Sequence, residues 1–585
     1  MEAKWVLEAK RADFYGLAKK FGIDPVTVRL MVNRGINTEE KIEKYLHAGR
    51  EDEYSPYEMR GAEEAAERLL ASIRRRERIL IATDFDVDGI FSGEILLTAI
   101  REAGGEAVVR APHRTREGYG VNVAMVECAC SEGISTMITC DNGIAAFDAV
   151  ERAKQLGMQV IVTDHHACPY RETASGTEIL LPQADVIVNP HQPGETYPFH
   201  GLCGAGVAYK VAEILYEKCG LAREGSDRLL EYVAVATVAD VMDLTDENRI
   251  FVREGLRRLQ HTENPGLRAL IRACGLEGKQ LTAYHIGFIL GPCFNSAGRL
   301  DTAEKAFALL AAGEEEAGPL AESLREMNES RKQLTAQGVE EACAWVEERK
   351  KLEDILVIPL QDCHESIAGI VAGRVRERYH HPTIVLTRGE HGWKGSGRSI
   401  EAWDMFRGLS ACRDLLTRFG GHPMAAGLSL EEENIDVLRQ RVNENTGLTE
   451  KDFVPIIRID VAMPLEYISE KLIQEFSLLE PFGKGNPKPL FAENWFAIRS
   501  ARILGKNRNV LKMCVENRAG TRMDAVYFGD IPLFEERVRE RFGETELQKL
   551  YRGEPNAVCL SLAYYPEVDE YMGRKSLQIV VSQMR

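Results

Sequence analysis

Three apolar runs in this chain end abruptly in carboxylates or imidazoles. Ile79-Leu80-Ile81-Ala82-Thr83 runs into Asp84-Phe85-Asp86-Val87-Asp88-Gly89, Met137-Ile138-Thr139 into Cys140-Asp141-Asn142-Gly143, and Val160-Ile161-Val162-Thr163 into Asp164-His165-His166. Each run has the length and β-branched content of a strand, and the first two precede helix-like segments. In an open parallel α/β sheet such clusters meet at the C-terminal strand edge, where these folds place their sites. Hard carboxylates with imidazole point to a divalent metal, and several carboxylates point to two ions.

Asp84, Asp86 and Asp88 alternate, a spacing that puts them on one side of an extended turn. Like charges this close repel unless cations neutralise them. A solvated acidic turn is the bland alternative. A calcium loop of the EF-hand type is excluded, because its twelfth position counted from Asp84 is Ile95 rather than Glu. Asp-Asn-Gly alone is a turn sequence and His-His alone is incidental; their place after strands makes Asp141, His165 and His166 candidates. Asp240 ends the apolar run Val233–Ala239, where an unpaired carboxylate is costly without a cation or several donors. A locally bonded helix end is the other reading of it. Downstream, Gly395-Ser396-Gly397-Arg398-Ser399 offers backbone N–H groups and a guanidinium to a phosphate. Arg299, in Asn295–Asp301, has similar phosphate chemistry, and Gly420-Gly421-His422 allows close backbone approach to a ligand.

The elements that must position these residues are legible in outline. A chain of 585 residues is too long for one core. Residues 1–75 read as a polar helical segment. From 79 to about 200, strands (79–83, 107–110, 135–139, 158–163, 185–188) alternate with helices (89–103, 144–156), which implies a mostly parallel sheet. Residues 204–350 read mainly as helix, and the charged stretch Ala321–Lys351, ending in Glu-Glu-Arg-Lys-Lys, as a long connector. The strand 355–358 opens a second α/β unit, and short alternating strands after 453 predict a small all-β barrel or sandwich.

Composition narrows the class. The chain is 44% apolar and 28% charged, ordinary for a globular protein. No apolar stretch approaches the roughly 18 residues of a membrane span, and the start MEAKWVLEAK lacks the layout of a signal peptide. The 13 cysteines are scattered without a CxxC and read as free thiols of a reducing cytoplasm. A net charge of −17 argues against a generally basic nucleic-acid-binding surface and leaves room for a confined basic groove.

Assembled in order, the motifs resemble the DHH phosphoesterase superfamily and, within it, the single-strand-specific 5′→3′ DNA exonucleases. The resemblance spans about residues 50 to 530. It rests on DFDVDG at 84–89, DNGI at 141–144, DHH at 164–166, NPHQPG at 189–194, LCGAGVAYK at 202–210 and VADV at 238–241. It continues through GP at 291–292, NSAGRLD at 295–301, GIVAGR at 369–374, GSGRS at 395–399, FGGHPMAAG at 419–427 and PFGKGNPKPLF at 481–491. The resemblance implies a DHH catalytic domain (76–315) with a parallel sheet, a connecting helix (316–351), an α/β DHHA1 domain (352–447) and an all-β OB-fold (453–585). It implies two divalent cations, Mn²⁺ or Mg²⁺, held by Asp86, Asp88, Asp141, His165 and Asp240, with Asp141 as the bridge and Asp84 lining the site. His166 would contact the scissile phosphate, and Arg299, Arg398, Ser399 and His422 would hold DNA phosphates. The implied reaction is in-line hydrolysis to 5′ mononucleotides in repair and recombination. The implied actor is a monomer working on single-stranded DNA beside a single-strand-binding protein or a helicase. Departures are Ala82 where many members have His or an aromatic residue, Thr83 in place of Gly, and Ser366 and Ala368 in His364–Gly369; they bear on substrate preference more than on catalysis. The competing readings are a phosphodiesterase for short oligonucleotides or cyclic dinucleotides and a binding scaffold without catalysis.

Overall fold

The structure, a computed structural model, describes residues 3–585 apart from Thr115, Ala174, Ser175, Lys350, Glu390, His391, Asn445, Lys506 and Met572. Lys350, in the run read as the end of the connector, thus lies outside the described residues. The chain divides into two compact units, Gly49–Phe453 and Met1–Ala48 with Val454–Arg585.

The first unit is built on a five-stranded sheet in the order Glu106–Arg110, Arg78–Ala82, Thr136–Thr139, Gln159–Thr163, Val186–Val188. Every pairing in it is parallel. Its three central strands are buried apolar runs such as Ile79-Leu80-Ile81, as a sheet covered on both faces requires, while the edge strand Glu106–Arg110 is only partly buried. The helix after Asp141 begins at Phe147 rather than 144, because the Ile144 N–H donates to Asp164 Oδ2 (2.9 Å) instead of entering a helical turn. A helix of 34 residues, Glu314–Glu347, then leads to a second sheet. It buries Ala321 and Leu324 in the core around the parallel sheet, and Ala342 and Val346 in a core under the second sheet. Glu314, Glu315 and Glu316 occupy its first turn, where the positive end of the helix dipole favours them. The second sheet runs Leu416–His422, Ala425–Leu430, Gly392–Arg398, Thr383–Gly389, Leu356–Leu360, with the last pair parallel and the others antiparallel.

The other unit is a closed barrel. Strands Phe491–Leu504, Val510–Asn517, Arg522–Tyr527, Arg574–Met584 and Cys559–Tyr571 follow one another, and the last pairs back onto the first. Closure removes the unpaired edges that an open sheet of this length would expose. Helices Ile531–Phe542 and Glu544–Arg552 interrupt the strands, burying Ile531, Phe534 and Val538 at helical spacing in the barrel core. Val28, Met31 and Ile42 of the N-terminal helices join that same core, and strand Lys4–Leu7 pairs in parallel with Ile456–Ile459. Among the described residues no helix is long and apolar enough to cross a membrane. All thirteen cysteines are free.

Candidate metal centre and phosphate-binding arginines

The three polar clusters do meet at the C-terminal edge of the parallel sheet. His165 is their hub: its Nε2 lies 3.1 Å from Asp141, 3.5 Å from Asp88 and 3.8 Å from Asp240. Asp141, His165 and His166 form one set of donors within 4.8 Å of one another, and Asp88, His165 and Asp240 a second.

Local backbone structure aims each group. The Asp86 side chain caps the helix Val87–Glu102 by accepting from the Gly89 N–H (3.1 Å). Asp88 accepts from the Gly204 and Ala205 N–H groups (2.6 and 2.8 Å) at the start of the helix Gly204–Lys218, whose positive end suits a carboxylate. Gly204 allows this approach, since a Cβ there would lie 2.6 Å from the Asp141 Cβ. Asp141 itself has a left-handed backbone, φ 59°. Asp240 caps the end of helix Leu230–Ala239. Asp164 stands behind the others as a positioning residue. It accepts from the backbone N–H groups of His165 and His166 (2.8 and 3.1 Å) and lies 2.7 Å from His166 Nδ1.

The electrostatics are those of a site built around cations. Burial and the neighbouring Asp86 push the Asp84 carboxyl up to about 8. Burial and Asp88 push Asp86 upward, and burial with Asp88 and Asp86 pushes Asp141 upward. Asp84 Oδ2 is buried without a hydrogen-bond partner. Burial lowers His165, keeping it a neutral donor, whereas Asp164 outweighs the burial of His166 and lifts it to about 9. Oxygen and imidazole donors crowded this way fit Mn²⁺ or Mg²⁺, which would neutralise charges that repel one another in the bare protein.

Arginines converge beside the carboxylates within the same unit. Gly298 lets the helix Gly291–Leu300 touch the first loop: a Cβ there would lie 2.4 Å from the Phe85 carbonyl oxygen. Its neighbour Arg299 is half-buried and donates to the Ser366 carbonyl (2.6 Å). Burial, then the nearby Arg114 and Arg331, push its guanidinium down to about 10; Arg114 and Arg398 are lowered as well, chiefly by burial. Arg114 lowers both Arg299 and Arg398, while Asp84 and Asp86 face Arg114 from the acidic side; guanidinium groups gathered this way match a phosphodiester.

Other expectations change. Gly392–Arg398 is a strand between two ladders, so its amides are already bonded and the Arg398 guanidinium alone remains for a phosphate. Ser399 is buried and its hydroxyl donates to the Trp403 carbonyl (2.6 Å), which leaves none for a ligand. His422 is exposed and flanks Ala425 opposite Arg398. Arg114 and Tyr119 escaped the motif reading. Arg114 lies 4.9 Å from the Phe85 ring centroid. The Tyr119 hydroxyl donates to the Asp141 carbonyl (2.7 Å) and lies 3.2 Å from His166 Nε2. Both follow the strand Glu106–Arg110, and the rule that strand ends converge on the site would have found them.

A parallel sheet carrying these carboxylates and imidazoles, joined by a long helix to a mixed sheet, is the architecture of DHH phosphoesterases. Family models agree: residues 78–237 match the DHH family N-terminal domain, 353–447 the DHHA1 domain and 459–583 the RecJ OB domain. The chain is 32% identical over 591 residues to the single-stranded-DNA-specific exonuclease RecJ of Escherichia coli, covering 96% of each. It is 36% identical over 531 residues to the Bacillus subtilis protein of that name, covering 90% of this chain and 66% of that one. The crystal structure of RecJ in complex with Mn²⁺ from Thermus thermophilus superposes with a TM-score of 0.81 at 25% identity, over 100% of this chain and 79% of that one. The chain belongs to the RecJ family.

Proposed function

We propose that this protein is a divalent-cation-dependent exonuclease that hydrolyses single-stranded DNA. The observation that carries the reading is the cluster of buried Asp84, Asp88 and Asp141 with half-buried Asp86 and Asp240, lying beside arginines which, among the described residues, make no ion pair. RecJ of this architecture has been solved with Mn²⁺ and with Mg²⁺. Asp86, Asp88, Asp141, His165 and Asp240 would hold two such ions, and Asp84 would line the site. When bound, the ions supply Lewis acidity and activate water near neutral pH. The chain's own residues do the rest. Asp164 holds the Nδ1 proton of His166 and so turns Nε2 toward a phosphoryl oxygen. The Gly204 and Ala205 amides keep Asp88 fixed. Arg114, Arg299 and Arg398 neutralise the non-bridging oxygens, while Gly298 keeps Arg299 close to the acidic loop.

The polarity, 5′ to 3′ with release of 5′ mononucleotides, follows the family resemblance. Selectivity for single strands is assigned to the passage between the parallel and mixed sheets, and the OB barrel adds stacking and backbone contacts of its kind. Action as a monomer in the cytoplasm, beside a single-strand-binding protein or a helicase and in repair and recombination, completes the proposal; thirteen free thiols suit that compartment.

The test is Mn²⁺-dependent digestion of single-stranded DNA labelled at its 3′ end, alongside Asp141→Ala. A ladder shortening from the 5′ end, absent with the variant, is the expected result. An intact long strand together with cleavage of a dinucleotide would replace this reading with a short-oligonucleotide phosphodiesterase. No hydrolysis of either would leave a binding scaffold.

A further inference from the structure

Two thiols meet on the helix that carries Arg299. Cys293 sits in the helix Gly291–Leu300 and is buried, while Cys274 follows the helix Pro265–Ala273 and is half-buried. They are nineteen positions apart in the chain, and their sulfurs lie 3.8 Å apart. A disulfide sets its sulfurs about 2 Å apart, so the pair closes with a displacement of about 1.8 Å shared between two helices.

The two sulfurs are not equivalent. A hydrogen bond from Cys293, reinforced by the cationic Arg325 and Lys332 of the long helix, outweighs burial and lowers the Cys274 thiol from its ordinary value. The Cys293 thiol is raised, first by its hydrogen bond with Cys274 and then by burial. An accessible thiol of lowered pKa beside a buried second thiol is the arrangement of a redox-sensing cysteine and its resolving partner. In a reducing compartment such a pair rests as thiols and closes only under oxidant.

The surroundings of Cys293 give that bond a consequence. Its sulfur lies 3.2 Å from the Ile289 carbonyl oxygen and accepts from the Asn328 amide (3.5 Å). Asn328 Oδ1 accepts in turn from Arg331 Nε and Nη2 (3.1 and 2.9 Å), and Arg331 is one of the cations that depress Arg299. At the other end of the helix, Gly298 meets the Phe85 carbonyl with no room for a methyl group. A close-packed interior transmits a displacement rather than absorbing it. Drawing Cys293 toward Cys274 therefore disturbs Asn328 and Arg331 and moves Arg299 against the acidic loop.

We propose that Cys274 and Cys293 form a reversible disulfide that slows the enzyme by shifting the helix that carries Arg299. The Cys274 thiolate attacks a hydroperoxide: an S–O bond forms, the O–O bond breaks, and the departing oxygen takes up the proton that Cys274 released. The Cys293 sulfur then attacks the sulfenic sulfur, the S–S bond forms, and the hydroxyl leaves as water with the Cys293 proton. The two thiols give up two electrons and the peroxide accepts them. A dithiol reverses the bond by exchange.

The effect on hydrolysis rests on the exonuclease reading, and one experiment separates the two. The full-length protein is reduced, freed of reductant, treated with hydrogen peroxide and blocked with iodoacetamide. Peptide mass mapping reads the linkage. Mn²⁺-dependent digestion of single-stranded DNA, and affinity for the strand in EDTA, read its consequence. The expected result is a linked Cys274–Cys293 peptide, digestion slowed about tenfold as misplaced positioning groups are, weaker strand affinity, and recovery in dithiothreitol. Cys274→Ser digests like the reduced wild type and keeps its rate after peroxide; Cys274→Ala replaces it if the serine variant folds poorly. No linked peptide in the oxidised wild type overturns the switch. So does a linked protein that digests and binds like the reduced one, or an equal loss in the Cys274 variant. A reduced wild type that digests nothing overturns the exonuclease reading instead, while the linkage and the strand affinity still decide the switch.

Discussion

At Lys210 an ammonium with no solvent exposure lies 2.8 Å from an equally buried Glu247, donates to the Tyr54 carbonyl (2.8 Å) and stands 3.5 Å from Glu213. Arg50 adds ion pairs to Glu53, to Glu213 at 3.3 Å and to Asp227 at 2.5 Å. Burial pushes Glu53 up to about 7, which brings the cluster nearer to balance. At Asp141, in the same unit, a carboxylate just as buried has four carboxylates pressing on it, a neutral imidazole in His165 and a single cationic imidazole, His166, at 4.0 Å. Both clusters are dense, polar and buried. The first answers each of its charges from within the chain. The second does not, and the difference separates a structural network from a ligand site: buried charge left uncompensated needs an external partner.

The comparison can be broken in descending order of effect. Asp141→Asn should lower Mn²⁺-dependent digestion of single-stranded DNA by more than about 10³-fold, yet raise the melting temperature in EDTA by relieving repulsion. A variant that melts lower in EDTA would mean that the cluster is internally balanced after all. Lys210→Met should do the reverse, costing about 3–5 kcal/mol because Glu247 is left buried and alone; chemical denaturation measures it, and a neutral result would remove the distinction. Glu94 sharpens the contrast as a buried carboxyl that burial pushes up to about 7 from 4.5. Below about pH 4.5 both folded and unfolded states hold its proton and there is no penalty. The penalty grows between about pH 4.5 and 7 and is complete above that. Glu94→Gln should therefore stabilise the fold by about 2–3 kcal/mol at pH 8 and leave it unchanged near pH 4, as melts at the two values will reveal. Smallest, Gly204→Ala places a methyl group against Asp141 and should weaken Mn²⁺ binding about 10–100-fold by calorimetry. Undiminished binding would free Asp88 of its dependence on that helix start.

The contrast also explains what was legible beforehand. Asp84, Asp86, Asp88, Asp141, His165 and Asp240 could be read because each ends an apolar run, and a parallel sheet brings such ends together. The barrel strands were visible through their alternation, but the helix burying Ile531, Phe534 and Val538 was passed over among them. The Ser399 hydroxyl was misread because its bond to the Trp403 carbonyl belongs to a turn that motif spacing does not encode. The N-terminal strand was invisible because its partner lies more than four hundred residues away.

By itself, then, the sequence determined the parallel sheet, the edge on which chemistry would gather and the donor types gathered there. Side-chain period and strand-end position are local properties of the chain. Only the tertiary structure decided that Asp164 orients both histidines, that Arg114 joins Arg299 and Arg398, and that Cys274 stands beside Cys293. Those relations depend on which distant segments pack together, and a pattern read along the chain does not contain them.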